Sequence, residues 1–138
     1  MNRSLLDTDI LSEISKGINP NVVRNASAYR KAFGRYTISV ISVMEVVRGF
    51  QQKQSNRRLQ QFLSAIASEE ILLLDQPAAE IAGRIAGDLD RTGQPIGMAD
   101  PIIAAIALRN GMHLVTGNKS HFERIVQLGY PLILSNWR

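Results

Sequence analysis

The sequence predicts an α/β fold in which a central parallel sheet of four or five strands lies between two layers of helices. Three observations predict it. Apolar pieces of strand length alternate with longer segments of three-to-four-residue apolar spacing, the order that joins parallel strands through crossover helices. One piece, Ile71 to Leu74, is continuously apolar, as in strands covered on both faces. A chain of 138 residues is large enough for one core and too small for two.

Ser4 to Leu6 opens the series as the first strand, and Thr8 to Lys16 follows as a short helical pattern that stops at Gly17. Asn19-Pro20 then supplies a cap and a first-turn proline for a helix in which Val22, Val23, Ala26, Tyr29, Ala32 and Phe33 recur up to Gly34. Thr37 to Val40 is short and β-branched and predicts the second strand, after which Ser42 caps a helix carrying Val43, Val46, Val47 and Phe50. A further helix runs near Asn56 to Ser68. Ile71 to Leu74 is the third strand, buried on both faces, and Pro77 starts a helix through Ile81, Ile85 and Leu89. Gly93 to Gly97 is a loop. Asp100-Pro101 opens an almost wholly apolar helix to Asn110-Gly111, and His113 to Thr116 and Leu132 to Leu134 are the last two strands. No repeat, low-complexity tract or linker divides the chain, so residues 1–138 are expected to form one domain.

Composition excludes several classes of function. Apolar residues at 45% and charged residues at 20% are ordinary globular values and exclude disorder. The absence of cysteine excludes disulfides, thiolate zinc and a cysteine nucleophile, so any metal must sit on oxygen or histidine. Asp7, Asp9 and Glu13 fall where a signal peptide would be apolar, and the longest apolar run, near Ile102 to Leu108, is far short of the ~20 residues of a membrane span. A cytoplasmic location with no membrane partner is expected.

The net charge of +4 is unevenly placed. Residues 14–68 carry nine bases (Lys16, Arg24, Arg30, Lys31, Arg35, Arg48, Lys53, Arg57, Arg58) against the single acid Glu45, while the flanking segments each carry −2. A surface that meets phosphates has this asymmetry, and so does a solvated basic helix face.

Ligands of open parallel sheets bind outside the carboxyl ends of the strands. Asp7 ends the first strand, Glu45 lies in the first turn after the second, Asp100 caps the helix before the fourth, and Thr116-Gly117-Asn118 leaves the fourth. Each has a bland alternative: Asp7 and Asp100 as helix caps, Glu45 as a dipole-favoured acid pairing with Arg48, Thr116 and Asn118 as turn residues. Their joint occurrence at one rim points instead to a site. Three gathered carboxylates require a cation, and hard oxygen donors without thiols select Mg²⁺ or Mn²⁺. Such an ion suits phosphodiester hydrolysis, with Arg48, Arg57 and Arg58 as candidate contacts to a polyanion. Other motifs are absent: no G-x-G-x-x-G, no G-x-x-x-x-G-K-[ST], no G-x-S-x-G, and His113 and His121 lack H-E-x-x-H spacing. Gly83 and Gly87, four positions apart in the pattern G-x-x-x-G, read as close packing or tolerated glycines, and Trp137 as core cover.

LLDTDILSE at 5–13, ISVMEVVRGF at 41–50, GMADPIIAAIAL at 97–108 and LVTGNKSHF at 114–122 together resemble the PIN-domain nucleases, specifically the VapC toxins of toxin–antitoxin pairs. The resemblance covers essentially the whole chain and implies a three-layer α/β/α domain. It further implies a Mg²⁺- or Mn²⁺-dependent endoribonuclease, a homodimer and a VapB-type antitoxin, with transfer or ribosomal RNA as substrate. Asp7, Glu45 and Asp100 would be the acids that bind the metal and activate water, and Thr116 with Asn118 would fall on the fourth motif, as substrate-binding and catalytic residue respectively. Two positions depart from the family pattern. Asp9 replaces the usual Asn, and Asn118 and His121 stand where the fourth motif often has an acid, so a four-acid site is not implied. Either could fill the position, Asn118 through its carbonyl oxygen or His121 as a neutral imidazole able to bind Mn²⁺, although beside Phe122 on a surface helix His121 is expected to face phosphate or solvent.

Two further readings compete. Asp7-Thr8-Asp9 imitates the D-x-D nucleophile of haloacid-dehalogenase-like phosphohydrolases, although Asp88 and Asp90 then fall inside a helical pattern. A PIN-like RNA-binding module with weakened catalysis is the other.

Overall fold

The computed structural model describes residues 1–138 and shows five parallel strands and seven helices in the order β1 (Ser4–Leu6), α1 (Thr8–Lys16), α2 (Pro20–Phe33), β2 (Thr37–Ser39), α3 (Val40–Gln52), α4 (Asn56–Ile66), β3 (Glu70–Leu72), α5 (Gln76–Arg91), α6 (Ala99–Arg109), β4 (His113–Val115), α7 (Lys119–Gln127) and β5 (Leu134–Ser135). The sheet order is β3-β2-β1-β4-β5, with all four pairings parallel. Successive strand side chains leave opposite faces, so each strand feeds two cores. Leu5 and Leu114 enter one, with Ala82, Ile85 and Leu89 of α5, Ile103 and Ile106 of α6, and Phe122 and Ile125 of α7. Leu6, Ile38 and Val115 enter the other, with Ile10 of α1, Val22, Ala26 and Tyr29 of α2, and Trp137. These two cores make the three layers, α/β/α. No helix is long and apolar enough to cross a membrane.

Helix boundaries follow from caps. Asn19 Oδ1 accepts from the amides of Asn21 and Val22, Pro20 opens α2, and Gly34 closes it at φ 82°, a left-handed conformation that costs glycine little. Tyr29 ties this helix to the sheet. Its buried hydroxyl donates to the Ser4 carbonyl at 3.1 Å and stands 3.0 Å from Thr37 Oγ1, and its ring packs 5.8 Å from that of Trp137.

Several expectations need correction. The third strand is Glu70–Leu72, not Ile71 to Leu74, and it is the edge of the sheet with one neighbour, so it is half-buried and Leu73 is 66% exposed. Ser39, not Ser42, caps α3: Ser39 Oγ accepts from the Ser42 amide at 3.1 Å, which moves the helix start to Val40 and Glu45 to its second turn. Asp100 does not cap α6. The cap position is Met98, and the Asp100 carboxylate is turned away toward α7. Gly83 and Gly87 are exposed with open space beside them, so tolerance and not close packing explains them.

Candidate active site

Chain order sets the place of the site. β1, β2 and β3 step toward one edge of the sheet, and the chain then crosses to lay β4 and β5 on the other side of β1. The order therefore reverses between β1 and β4, and connections leaving these two strands open a crevice at their carboxyl ends. Asp7 directly follows β1. Thr116 directly follows β4.

Across that gap Thr116 Oγ1 donates to Asp7 Oδ2 at 2.8 Å, and Asp7 Oδ1 accepts from the Thr8 amide at 2.8 Å as the cap of α1. The carboxylate is thus both a cap and part of the crevice, held at 6% exposure. Burial pushes its pKa up, to about 6; the Thr116 and Thr8 hydrogen bonds oppose the rise, and the nearby Asp9 and Asp100 charges add to it. Thr8 turns its hydroxyl toward α3, donating to Glu45 Oε1 at 2.7 Å and standing 2.9 Å from Ser42 Oγ. One residue beyond Asp7 thereby fixes Glu45 in the same crevice. Glu45 makes no ion pair with Arg48, which is exposed one turn further along α3.

The opposite wall comes from α6 and α7. Asp100 Oδ2 lies 2.9 Å from His121 Nδ1, and that ring nitrogen lies 3.0 Å from the Asn118 amide nitrogen. Nδ1 serves one of these partners at a time: protonated, it donates to the Asp100 carboxylate; unprotonated, it accepts from the Asn118 side-chain amide. The Asn118 backbone amide donates back to Thr116 Oγ1 at 2.9 Å, closing the turn after β4. Thr116, expected to bind substrate, is fully buried here, and its hydroxyl donates to Asp7 and accepts from the Asn118 amide, so it positions the Asp7 carboxylate.

Asp9 fills the floor between these walls. Its Oδ2 accepts from the Gly117 amide at 2.9 Å and lies 3.6 Å from the Arg138 guanidinium, which also stands 3.5 Å from Glu13. Gly117 is required by this approach, because a Cβ there would sit 2.5 Å from Arg138 Nη1 and 2.6 Å from Asp9 Oδ2. Asp9 Oδ1 is buried without a hydrogen-bond partner.

The donors suit a hard divalent cation. They are mostly carboxylate oxygens, Asp7 is a buried carboxyl whose neighbours are like charges, and Asp9 Oδ1 is an orphaned acceptor. As they stand, no three Asp, Glu or His side chains are arranged to hold an ion. Glu45 is committed to Thr8 and Asp100 to His121, and holding an ion requires exchanging these internal partners for it.

Sequence reasoning missed Thr8, Ser42, Arg138 and the inward turn of His121. Only Thr8 had a usable signal, as the hydroxyl between Asp7 and Asp9. The phosphohydrolase reading loses its second pair of acids. Asp88 lies on α5, bonded to the Tyr130 hydroxyl at 2.7 Å and to Arg91 at 3.2 Å, and Asp90 is exposed on the same helix. Of the basic segment, Arg30 is paired with Glu69 and Arg35 with Glu70, while Arg48, Arg57 and Arg58 on α3 and α4 are exposed and unpaired. Arg57 and Arg58 lie on α4, which packs on the helix that carries Glu45.

Comparison with known proteins agrees with this architecture. Residues 4–128 match the PIN domain. The tRNA(fMet)-specific endonuclease VapC of Shigella flexneri is 33% identical over 129 residues, 91% of this chain and 93% of that protein. Among solved structures, VapBC2 from Rickettsia felis bound to a promoter DNA fragment superposes with a TM-score of 0.82 at 26% identity, covering 98% of both chains. DNA-bound VapBC from Salmonella typhimurium superposes with a TM-score of 0.81 at 28% identity over the full length of both. With acids from three separated segments and Thr116, Asn118 and His121 from a fourth at the reversal point of such a sheet, the chain belongs to the PIN-domain family, among the VapC ribonucleases.

Proposed function

We propose that the chain is the toxin of a VapBC-type pair, an endoribonuclease that hydrolyses RNA phosphodiester bonds at the β1–β4 crevice with Mg²⁺ or Mn²⁺. The observation that carries this reading is the buried Asp7 carboxylate at the β1–β4 crevice, under the charges of Asp9 and Asp100, with Glu45 tied to the next residue, Thr8. Asp7, Glu45 and Asp100 would hold the ion, which when bound lowers the pKa of water and offsets charge on a phosphoryl oxygen. Thr116 and the Thr8 amide keep the Asp7 carboxylate oriented. Glu45, released from Thr8, would accept a proton from the attacking water, whose oxygen forms the new bond to phosphorus as the bond to the leaving ribose oxygen breaks and that oxygen takes a proton from solvent. Asn118 lines the far side of the crevice. Arg48, Arg57 and Arg58 bind phosphates of the incoming strand.

The partners follow the same reading: an RNA, with transfer RNA tested before ribosomal RNA; a VapB-type antitoxin; a second copy of the chain in a homodimer; and the cytoplasm as the place of action. The test incubates purified chain with transfer and ribosomal RNA, with and without Mn²⁺ or Mg²⁺, beside Asp7→Asn, Glu45→Gln and Asp100→Asn. Metal-dependent internal cleavage by the wild type alone supports the reading. RNA binding without cleavage would make the chain a binding module instead.

A further inference from the structure

We propose that His121 is a nitrogen ligand of the site's divalent cation, seated beside Asp100, and that it biases the site toward Mn²⁺ over Mg²⁺. The inference deepens the metal-dependent reading above and rests on it.

α7 begins at Lys119, directly after the turn that follows β4, and its first turn carries His121 into the crevice instead of out to solvent. Phe122 beside it is fully buried in the core under α6, which fixes the rotation of α7 and the direction in which the ring leaves it. The imidazole is half-exposed and Asp100 less so, so both are reachable from the open side.

His121 Nδ1 and Asp100 Oδ2 stand 2.9 Å apart. That spacing serves a hydrogen bond, and it also matches two adjacent donors on one cation: bonds of about 2.1 Å at a right angle place the donor atoms about 3.0 Å apart. Replacing the shared proton with a cation therefore needs little movement of either group. A neutral imidazole carrying its proton on Nε2 presents an Nδ1 lone pair in that direction.

Asp7, Asp9 and Asp100 already place several carboxylates in the crevice, and Arg138 offsets only the Asp9 and Glu13 side. A neutral donor opposite adds coordination without adding repulsion. Mg²⁺ prefers an all-oxygen octahedron, whereas imidazole binds later first-row divalent ions more tightly, so a nitrogen in the set favours Mn²⁺.

The chain has two histidines, His113 and His121, which makes the test specific. The probe is Mn²⁺ alone, titrated into the full chain by calorimetry and examined by pulsed electron paramagnetic resonance for coupling to imidazole nitrogen. Wild type and His113→Gln should both show a directly coupled ¹⁴N, and ¹⁵N-histidine labelling of the wild type should convert that signal. His121→Gln should lose it, with circular dichroism reporting an intact fold, and should weaken Mn²⁺ at least about tenfold. His121→Asp should lower the ratio of Mn²⁺ to Mg²⁺ affinity by about tenfold or more. Mn²⁺ bound by the wild type without nitrogen coupling would overturn the role of His121 and leave the metal-dependent reading standing. No Mn²⁺ bound by the wild type would overturn both.

Discussion

The Thr116 hydroxyl donates to the Asp7 carboxylate across the gap between β4 and β1, at 2.8 Å and out of contact with water. A buried acid held this way depends on its donor. Thr116→Val keeps the shape and removes the hydroxyl, leaving one carboxylate oxygen and the Asn118 amide without their partner. The expected result is a loss of about 1–3 kcal/mol of stability in urea unfolding. The acid limb of any cleavage profile should also move to higher pH, because the lost bond favoured the charged form.

Asp7 itself opposes folding at neutral pH in the metal-free chain. Burial raises its folded pKa to about 6, against 3.8 for the ordinary group. The folded state therefore holds the proton more tightly than the unfolded state. Below pH 3.8 both forms are neutral and the group costs nothing; the penalty grows as pH rises to 6 and then stays, at about 3 kcal/mol. Asp7→Asn should remove this penalty, so in a chelating buffer at pH 7.5 the variant should be the more stable protein while cleaving no RNA. Equal stability of the two proteins at pH 7.5 would contradict the assignment of a buried, uncompensated charge.

Most of this crevice was legible in the sequence because Asp7 and Thr116 directly follow strands, and a parallel sheet sends such positions to one rim. Glu45 was legible for the same reason, although the helix begins earlier than Ser42 suggested, since Ser39 ends the strand and caps at once. His121 was not. It neighbours an apolar residue in a helical pattern, and whether such a residue faces solvent or a crevice depends on the rotation of α7, which is fixed by Phe122 and Ile125 packing against distant residues of α5 and α6. The edge position of β3 was hidden likewise, because a short apolar run reads alike in a central strand and in one covered only in part.

Gly117 separates packing from chemistry. A methyl group there would meet the Arg138 guanidinium and Asp9 Oδ2 at 2.5–2.7 Å, so Gly117→Ala must push Arg138 away or break the Gly117 amide bond to Asp9. A stability loss of about 1–3 kcal/mol is expected. Arg138→Ala should leave the backbone of the turn intact. If Gly117→Ala lowers cleavage and Arg138→Ala does not, the geometry of the turn is what catalysis needs; if both lower it equally, the cation matters.

The basic residues divide into two sets with opposite expected phenotypes. Arg30 pairs with Glu69, whose side chain is only 7% exposed, at 2.7 Å, and covers the Tyr36 ring at 4.1 Å. Arg30→Ala leaves that glutamate without its cation and uncovers the ring, so it should destabilise the fold with little effect on RNA affinity per folded molecule. Arg57 and Arg58 are exposed and make no ion pair, so Arg57→Glu with Arg58→Glu should leave the melting temperature nearly unchanged. If α4 meets the RNA backbone, that double variant weakens binding of unrelated RNAs by similar factors and reduces the slope of log affinity against log salt. Filter binding of two RNAs of different sequence at several salt concentrations, beside thermal melts of each variant, measures both effects. An unchanged salt slope in the double variant would remove α4 from the RNA surface.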